Sequence, residues 1–511
     1  MAGTLQDRAR DEAVPAAPMQ GAQLALAVFV LSLATFIVIL DATIINVAIP
    51  HIASSFAASP NEGTWVITSY AVAEALTIPL SDWLATRFGL VRTLVAAILG
   101  FAGFSILCGV APSLQVLVAF RVLQGLSGGP LIPLSQTLIV RISPPKKAEM
   151  VMGLWMMTSI IAPIAGPIAG GILADTLGWR WAFYLNVPVA LLCAGLALPL
   201  FRAFETAPRK GGIDFIGFGL LALWVGSLQV ALDTGEDLDW FASPRICTLL
   251  GVSAAAFVLF LIWEITEDRP AVDLRIFRYR GFAVSAAAMS LAFGAFFASI
   301  ILMPLWLQLG MNYTATQAGQ VLACQGALGI LAAPLAAALM TRIDPRLIMS
   351  SGLAILAAAI FCRSGFAITV GFGEMIVPQL AMGIGIPFFF VPLMTLSLKA
   401  VRPSETAAAS GVINFVRTIA AAIATAIVVS VWNGQTRIAH ASLASILKSP
   451  DAFLQQLEKT GLSASQAAQS LDSMAWNQSM MLAANAVSIG LSSVLALTAA
   501  CIWLMPRPKP S

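Results

Sequence analysis

Apolar stretches of about 20 residues recur along the whole 511-residue chain, and they constrain its fold more than any other feature. A helix of about 20 apolar residues is long enough to cross the hydrocarbon core of a bilayer. The chain is 59% apolar and only 10% charged, whereas a soluble domain carries about a quarter charged residues. The apolar–polar alternation of an outer-membrane barrel is absent. These features predict an all-α integral membrane protein.

We interpret fourteen of these stretches as transmembrane helices. Because the number is even, both chain termini are predicted to lie on the same side of the membrane. The predicted spans are residues 22–49, 62–80, 91–111, 114–140, 149–173, 182–201, 212–232, 244–264, 281–305, 316–340, 346–367, 372–398, 406–432 and 480–505.

The charges of the connecting loops indicate the orientation. If the N-terminus is cytoplasmic, 20 of the 28 Lys and Arg residues fall in cytoplasmic segments and six fall on the other side. Cytoplasmic loops of membrane proteins carry an excess of Lys and Arg. Both termini are therefore predicted to be cytoplasmic. The formal net charge of +3 follows from this loop bias, and it gives no reason to expect nucleic-acid binding.

The spans are grouped as six, two and six, separated by basic connections. A weak internal repeat supports two related halves, because Gly125 precedes Pro133 in span 4 as Gly383 precedes Pro392 in span 12. The predicted parts are a cytoplasmic N-terminal tail (1–21), an N-terminal six-helix bundle (22–201), two linker helices with cytoplasmic connections (202–280), a C-terminal six-helix bundle (281–505) and a cytoplasmic tail (506–511).

Several classes of function are disfavoured by the sequence. No lysine lies in a GxxxxGK[ST] phosphate loop, which is the usual sign of nucleotide hydrolysis. The two histidines, His51 and His440, fall in predicted external segments, where they would not ligate a haem in the bundle. The six cysteines form no CxxC pair. We therefore expect no enzyme, no cofactor and no metal site, but a carrier driven by an ion gradient, a channel or a receptor.

Asp41, in LDATIINVAIP (40–50), is the only charged residue between Ala25 and Pro50. An ionisable group inside a span is costly and is usually functional or paired. A low-dielectric site disfavours the ionised form, so this carboxylate could bind and release a proton as its exposure changes. The alternative is a fixed polar anchor between helices. We favour the proton-binding role.

Glu74 in span 2 is a second candidate for proton coupling, or the group that meets a cationic substrate. A glutamate that faces a water-filled vestibule is the alternative. Arg121 and Arg417 are the expected counter-charges, because a buried cation needs a partner. Arg363 and Glu374 flank one short external turn, and a surface ion pair between them is the simplest interpretation.

Glycines and prolines are concentrated in spans 4 and 5. The stretch RVLQGLSGGPLIP in span 4 contains Arg121, Gln124, Gly125, Gly128 and Gly129. The stretch APIAGPIAGGIL in span 5 contains Pro163, Gly166, Pro167, Gly170 and Gly171. The GxxxG spacing in span 5 lets two helices approach closely, and each stretch alone indicates no more than helix packing.

Together with LDATIINVAIP, and in this order along the chain, these stretches resemble the major facilitator superfamily. The resemblance is strongest to its fourteen-span drug:proton antiporters of the EmrB/QacA type, and among them to the Emr-type inner-membrane pumps of Gram-negative bacteria. NEGTWVITSY, WRWAFYLNVPV (179–189) and LDWF (238–241) add to it, and it covers essentially the whole chain. It implies two six-helix bundles with two extra central helices. The span-5 signature implies export, and Arg121 and Asp41 correspond to the residues implicated in proton coupling.

The loop after span 2 departs from the family pattern. The superfamily usually carries G-x-L-A-D-R-x-G-R-K, where the Asp clamps a cytoplasmic gate. Here the segment is SDWLATRFGLVR, with Asp82 at the usual Gly and Thr86 at the usual Asp. The remaining gate candidates are Arg87, Gly89 and Arg92, and Asp82 is predicted to substitute for the missing carboxylate by facing Arg141.

The resemblance also implies partners. Emr-type pumps work with a periplasmic adaptor and an outer-membrane channel, in addition to lipophilic small-molecule substrates, protons and membrane lipids. The external loop at 433–478 is polar, rich in Ala, Ser and Gln, and predicted to be partly helical. It would face the adaptor, and a tolerated insertion is the alternative.

The sequence thus predicts a proton-coupled antiporter that exports lipophilic drugs across the bacterial inner membrane by alternating access, as the pump of a tripartite system. The proton gradient would supply the energy, and the two middle spans would pack at the periphery. A metabolite exporter or importer on the same fold is one alternative. A membrane sensor that has lost transport is another.

Overall fold

In the computed structural model, every regular element among the described residues is a helix. The structure describes residues 17–58, 60–145, 147–208, 214–236, 238–267, 270, 272–367, 369–402, 405–446 and 463–505. The first half contains α1 (Gly21–Ser55), α2 (Pro60–Thr77), α3 (Ser81–Phe88), α4 (Leu90–Gly109), α5 (Leu114–Gly128), α6 (Leu131–Ile142), α7 (Ala148–Thr176), α8 (Trp181–Tyr184) and α9 (Asn186–Phe201).

The second half begins with a pair of helices and continues with six longer ones. They are α10 (Phe215–Thr234), α11 (Pro244–Thr266), α12 (Arg280–Gly310), α13 (Ala315–Leu339), α14 (Pro345–Arg363), α15 (Phe372–Lys399), α16 (Thr406–Ile446) and α17 (Ala464–Cys501).

Twelve helical segments of the described residues are long and apolar enough to cross a membrane. This confirms the prediction of an all-α membrane protein. The two remaining predicted spans correspond to α2, whose Glu62, Glu74 and hydroxyl side chains make it more polar, and to α7, which includes the apolar segment Met150–Pro163. The total of fourteen spans stays a prediction.

Side-chain caps define where several helices begin. Ser113 accepts a hydrogen bond from the Val116 amide at the start of α5. Thr314 and Ser463 form capping boxes at the starts of α13 and α17, in which the Gln three residues later bonds back to the cap amide. These bonds satisfy amides that have no partner within the helix.

The helices pack in three groups. α1, α2, α4, α5, α7 and α9 contact one another and form the first bundle. The helices from α12 to α17 do the same and form the second bundle. α10 and α11 pack on each other, and α10 also contacts α2 and α16, so this pair lies beside the seam between the bundles. The predicted part boundaries at 22–201, 202–280 and 281–505 stay a prediction.

Equivalent glycines bring helices close together in both bundles. A Cβ at Gly125 of α5 would lie 2.5 Å from the carbonyl oxygen of Tyr70 on α2. A Cβ at Gly383 of α15 would lie 2.4 Å from the carbonyl oxygen of Gln325 on α13. Spans 4 and 12 therefore make the same close contact, each with the helix two spans earlier, as expected for parallel repeats.

The bundles also contact each other. α7 and α13 pack together, with Ile168 against Gly319 and Gly153 against Ala333 and Ala337. α6 packs against the first part of α16. This second contact lies at the end of the molecule that carries the described chain termini, which we call the terminal end. The Met19 amide donates to the Ile142 carbonyl at this end.

α16 and α17 are long enough to extend beyond a bilayer at the opposite end. α16 has 41 residues, which corresponds to about 60 Å of helix, whereas the hydrocarbon core is about 30 Å thick. The predicted loop 433–478 is thus helical at 433–446 and 464–478, and residues 447–462 lie outside the described residues. His440 of α16 lies 3.1 Å from Asp472 of α17, so the two extensions pair as a hairpin.

The predicted surface ion pair between Arg363 and Glu374 is wrong. Arg363 is only 6% exposed and donates to the Ser299 hydroxyl at 2.8 Å. Glu374 instead accepts from the Gly371 amide at 3.1 Å and caps the start of α15. The capping bond is local in sequence, and it holds the carboxylate at its own helix.

The close contact at Gly383 can be tested by adding one methyl group. Overpacking a tight site costs about 1–3 kcal/mol, so Gly383→Ala should lower the melting temperature of the detergent-solubilised protein. Melting is followed as the loss of monodisperse protein on size-exclusion chromatography. Gly490→Ala is the matched control, because a Cβ there meets no atom within 4 Å and Ala favours a helix. Unchanged melting of Gly383→Ala would contradict the contact.

Candidate functional site: a buried ion pair and its surroundings

Asp41 and Arg121 form an ion pair inside the first bundle. Asp41 comes from α1 and Arg121 from α5, and both side chains are fully buried. The Arg121 Nη1 atom lies 2.5 Å from the Asp41 Oδ2 atom. The predicted lone carboxylate is therefore paired, and the attraction between the two charges offsets part of the cost of burying them.

Two amide side chains complete the surroundings of the carboxylate. Asn186, the first residue of α9, donates from Nδ2 to Asp41 Oδ1 at 2.6 Å. Gln124 donates from Nε2 to the same oxygen at 3.2 Å, and its Oε1 accepts from Arg121 Nη1 at 2.8 Å. Ser105 of α4 accepts a further bond from Gln124. Three spans thus meet at one carboxylate, and α4 joins them through the bond of Gln124 to Ser105.

Arg121 has further partners on α2. Its Nε donates to the Val66 carbonyl at 3.0 Å, and the guanidinium carbon lies 4.1 Å from the centre of the Tyr70 ring. The Phe183 ring lies 5.6 Å away on another side. The Nη2 atom of Arg121 is buried without a hydrogen-bond partner. One donor therefore remains available if the pair rearranges.

Asn186 was not among the predicted site residues. It lies in WRWAFYLNVPV, a stretch whose only sequence signal is its resemblance to the family. The usable signal was an amide side chain at the start of an apolar span, since a buried amide needs a polar partner. Its Oδ1 atom has no partner, so the amide is held by its bond to Asp41.

Glu74 and Arg417 lie in different bundles. Glu74 is on α2 and is partly buried, whereas Arg417 is on α16 and is 6% exposed. Each charge acts on the other, but in the described part of the chain no ion pair joins them. Arg417 is therefore a distant counter-charge, in contrast to Arg121.

The glycines of span 4 bring α5 against α2. Cβ atoms at Gly128 and Gly129 would lie 2.9 Å from the Tyr70 hydroxyl and 2.2 Å from the Thr77 hydroxyl. With Gly125 they form a side-chain-free stripe that places Arg121 and Gln124 beside α2.

The span-5 signature packs α7 against α1. A Cβ at Gly166 would meet the Thr43 hydroxyl at 2.1 Å, and one at Gly170 would meet the Ile44 carbonyl oxygen at 2.5 Å. Pro163 is buried, and Pro167 and the partly exposed Gly171 belong to the same helix. The signature thus fixes the helix that carries Asp41.

Asp82 lies on α3 at the terminal end, where α3 contacts α16. Burial raises the pKa of Asp82 from 3.8 to about 6, the charge of Asp273 adds to this rise, and the charge of Arg141 opposes it. Arg141, which was predicted to face Asp82, acts on it through its charge. The described residues show no ion pair between the two side chains.

A different carboxylate occupies the loop between α3 and α4. Gly89 ends α3 with φ +98, and a Cβ there would lie 2.5 Å from Oε1 of Glu205. Glu205 accepts from the amides of Val91 and Arg92, both at 3.1 Å, at the start of α4. Glu205 follows span 6, so proximity in sequence could not reveal this contact.

The remaining gate candidates surround this loop. Arg87 lies in the last turn of α3. Arg92 is exposed, and its Nε lies 3.8 Å from Glu205 Oε2. The expected substitution by Asp82 is therefore incomplete, because Glu205 is the carboxylate that binds the loop.

A polar contact joins the bundles at the terminal end. Gln136 of α6 accepts from the Ser410 hydroxyl and from Asn414 Nδ2 of α16, each at 2.5 Å. All three side chains are fully buried. Sequence reasoning missed this contact because serine, asparagine and glutamine are common in loops and packing faces. The contact closes the seam on this side.

No group of three His, Cys, Asp or Glu side chains that could hold a metal ion is found among the residues that the structure describes.

The pairing of Asp41 with Arg121 predicts non-additive effects on stability. Arg121→Gln leaves a buried carboxylate without its cation, and such a change costs about 3–5 kcal/mol. The double variant Asp41→Asn/Arg121→Gln should regain part of this loss, because no charge remains. The measurement is the melting temperature of both single variants and the double variant. Additive changes would show that the pair contributes nothing as a unit.

The raised pKa of Asp82 predicts a pH effect on stability. The folded chain holds this proton more tightly than the unfolded chain between about pH 4 and pH 6, so stability falls as pH rises through that window. Asp82→Asn should therefore raise the melting temperature above pH 7 and change it little near pH 4. Arg141→Gln should deepen the loss of stability above pH 6. Parallel pH curves for wild type and Asp82→Asn would refute the assignment.

Comparison with known proteins identifies the family. The model of the Major Facilitator Superfamily matches residues 31–425. Multidrug export protein EmrB of Escherichia coli is 38% identical over 496 residues, which are 96% of this chain and 97% of EmrB. Fatty acid resistance protein FarB of Neisseria gonorrhoeae is 36% identical over 495 residues, which are 96% of this chain and 98% of FarB.

The fold matches solved structures as well. The human organic anion transporter MFSD10 superposes with a TM-score of 0.60 at 13% identity, covering 94% of this chain and 100% of that one. A bacterial homologue of the lysosomal transporter Spinster superposes with a TM-score of 0.54 at 15% identity, covering 96% and 100%. The resemblance seen in the motifs is confirmed: this chain belongs to the major facilitator superfamily, whose members are transporters and not enzymes.

Proposed function

We propose that this protein is a proton-coupled antiporter that exports lipophilic toxic compounds across the bacterial inner membrane. The observation that carries the proposal is the buried Asp41–Arg121 pair, which places one ionisable carboxylate at the meeting point of three spans. The names of EmrB and FarB, a multidrug export protein and a fatty acid resistance protein, support export of greasy molecules.

Proton coupling follows from what protonation of Asp41 would change. A neutral carboxyl group no longer balances Arg121, which is fully buried. The guanidinium then has to find other hydrogen-bond acceptors. Its Nη2 atom has no partner at present, so it is able to donate to a further acceptor. A shift of α5 relative to α1 is the structural response we infer. Glu74, which faces the other bundle, is the second candidate for a transported proton.

Alternating access would use the seam between the bundles. The Gln136 contact with Ser410 and Asn414 closes the seam at the terminal end. We infer from the loop charges that this end is cytoplasmic, so the described arrangement would correspond to closure on the cytoplasmic side. Opening requires these buried hydrogen bonds to break. The proton gradient is the energy source, and no cofactor is part of the proposal.

The helical hairpin formed by the ends of α16 and α17 supports a partner protein outside the membrane. With cytoplasmic termini, the hairpin projects into the periplasm. It carries exposed Ile438 and Met474 together with Trp476, which is 40% exposed. We infer that a periplasmic adaptor, linked to an outer-membrane channel, binds here.

The transport proposal is tested in proteoliposomes with an imposed pH gradient and a cationic lipophilic dye, rhodamine 6G. Wild type should move the dye against its concentration only while the gradient is present. Asp41→Asn should abolish uphill movement, because the carboxylate can no longer exchange a proton. Gly490→Ala, in an open part of α17, is the control for reconstitution.

Three outcomes separate the alternatives. Loss of uphill dye movement in Asp41→Asn, but not in the control variant, supports proton coupling at Asp41. Full activity of this variant assigns Asp41 a structural role and moves the coupling role to Glu74, which Glu74→Gln then tests. If the pH gradient drives uphill movement of neither a lipophilic dye nor a lipophilic carboxylate, export is refuted and the sensor alternative is favoured.

The adaptor proposal is tested by co-purification. Replacing residues 438–476 by a short Gly-Ser linker removes the hairpin with its exposed Ile438, Met474 and Trp476 and should abolish capture of the adaptor, while monodisperse pump is still recovered. Undiminished capture by this variant would sink the proposal.

A further inference from the structure

A short turn follows α17 at the terminal end of the second bundle. Ile502–Leu504 form this turn, which we call the 502–504 turn. Ile502 is buried, whereas Trp503 is 50% exposed and Leu504 is 60% exposed. Tryptophan is enriched where membrane helices meet the lipid headgroups, because its ring is apolar and its N–H is polar. The turn therefore lies at the level of the headgroups and presents apolar surface to the lipid.

Two other helices of the second bundle begin beside this turn. Both α12 and α14 contact it. Arg280, the first residue of α12, donates from Nη2 to the Leu504 carbonyl at 3.5 Å. The Ser350 hydroxyl of α14 donates to the Ala499 carbonyl of α17 at 3.4 Å. Since α14 and α17 run in opposite directions, Arg346, one helical turn before Ser350, lies level with the turn. Two arginines thus flank it.

Arg346 is buried with too few hydrogen-bond acceptors. It is only 6% exposed, and its Nε and Nη2 atoms have no hydrogen-bond partner. The neighbouring carboxylate is that of Asp344, whose Oδ1 lies 3.8 Å from Nε and accepts the Arg346 amide at 3.0 Å. A distance of 3.8 Å is too long for a hydrogen bond. Unsatisfied donors on a buried cation are costly, which points to an anionic acceptor outside the described chain.

Arg280 adds a second positive charge on the accessible side of the turn. It is exposed, and its long bond to Leu504 is its only side-chain hydrogen bond within the described part of the chain. Arg278, two positions earlier, is instead paired with Glu405 at 2.6 Å. The chain thus neutralises one arginine of this segment and leaves the next one available. With the single carboxylate of Asp344, the surroundings of the turn keep an excess of positive charge.

We propose that Arg280, Arg346 and the 502–504 turn bind the headgroup phosphate of an anionic phospholipid such as phosphatidylglycerol. The guanidinium groups donate to the phosphate oxygens, and Trp503 and Leu504 contact the acyl chains. Basic pockets between membrane helices on the cytoplasmic side suit such headgroups. A bound lipid joins the ends of α12, α14 and α17. The site lies at the membrane surface outside the transport path, and its lipid binding does not rest on the proposed function.

Native mass spectrometry of the full chain in detergent tests this site, because it counts the lipids that stay bound. The delipidated protein is titrated with dioleoyl phosphatidylglycerol and, separately, with dioleoyl phosphatidylcholine, whose phosphate is balanced by a positive charge. The variants are Arg346→Gln, Arg280→Gln and Trp503→Ala. Arg402→Gln is the matched control, because it removes an exposed positive charge from the connection between α15 and α16 at the same end of the same bundle.

The expected losses follow the burial of each side chain. Arg346→Gln should weaken binding of the first phosphatidylglycerol at least about tenfold, the value of one charged hydrogen bond. Arg280→Gln and Trp503→Ala should weaken it severalfold, because both side chains are exposed to solvent or lipid. Arg402→Gln should leave it unchanged, and binding of phosphatidylcholine should respond to none of these changes. Phosphatidylglycerol should also raise the melting temperature of wild type more than that of Arg280→Gln, since a ligand stabilises the state that binds it.

Equal affinity of wild type and Arg346→Gln for phosphatidylglycerol would overturn the site. If Arg346→Gln does not fold, unchanged binding in both Arg280→Gln and Trp503→Ala overturns it in the same way. Equal binding of phosphatidylglycerol and phosphatidylcholine to wild type rules out recognition of the negative charge. Competition with glycerol 3-phosphate separates a lipid from a soluble phosphate. Displacement of the lipid at equal concentration refutes the lipid assignment, and failure to displace it supports the contribution of Trp503 and Leu504.

Discussion

The buried pair of Asp41 and Arg121 is the interaction on which the first bundle depends. Burying either charge alone in a low-dielectric interior is costly, and Gln124 and Asn186 use the remaining carboxylate sites of the pair. Three helices must therefore keep a common register at one point. A change in that single charge balance reaches all three helices at once, which is the property that a coupling site requires.

The glycine contacts show that two halves with the same helix packing differ in where they carry buried charge. Gly125 on α5 and Gly383 on α15 make the same approach to a neighbouring backbone. Four residues before each glycine, the first half has Arg121 and the second has Gln379, a buried amide that no described group bonds. The scaffold is repeated, but the charge is not. The charged chemistry of the second half lies instead on α16, at Arg417, and faces the seam.

The sequence predicted what depends on local composition and failed where partners are distant. Apolar length was sufficient for the helices, and Asp41 and Arg121 were visible because a charge in an apolar run stands out. Glu205 was not visible, because it looks like any polar loop residue and reaches the loop before α4 only in three dimensions. The bonds of Gln136 to Ser410 join residues more than 270 positions apart. Such side chains cannot be recognised from the sequence, because they become important only where the fold buries them.

The uninterrupted length of α16 connects three separate places in the molecule. Its first turns carry Ser410 and Asn414 at the closed seam, Arg417 follows near the middle, and its far end carries Arg437 and His440 in the projecting hairpin. A continuous helix of about 60 Å behaves as a stiff rod. Tilting this helix to open one side of the membrane would move its outer end in the opposite direction. Any protein bound to the hairpin would therefore be displaced in each transport cycle.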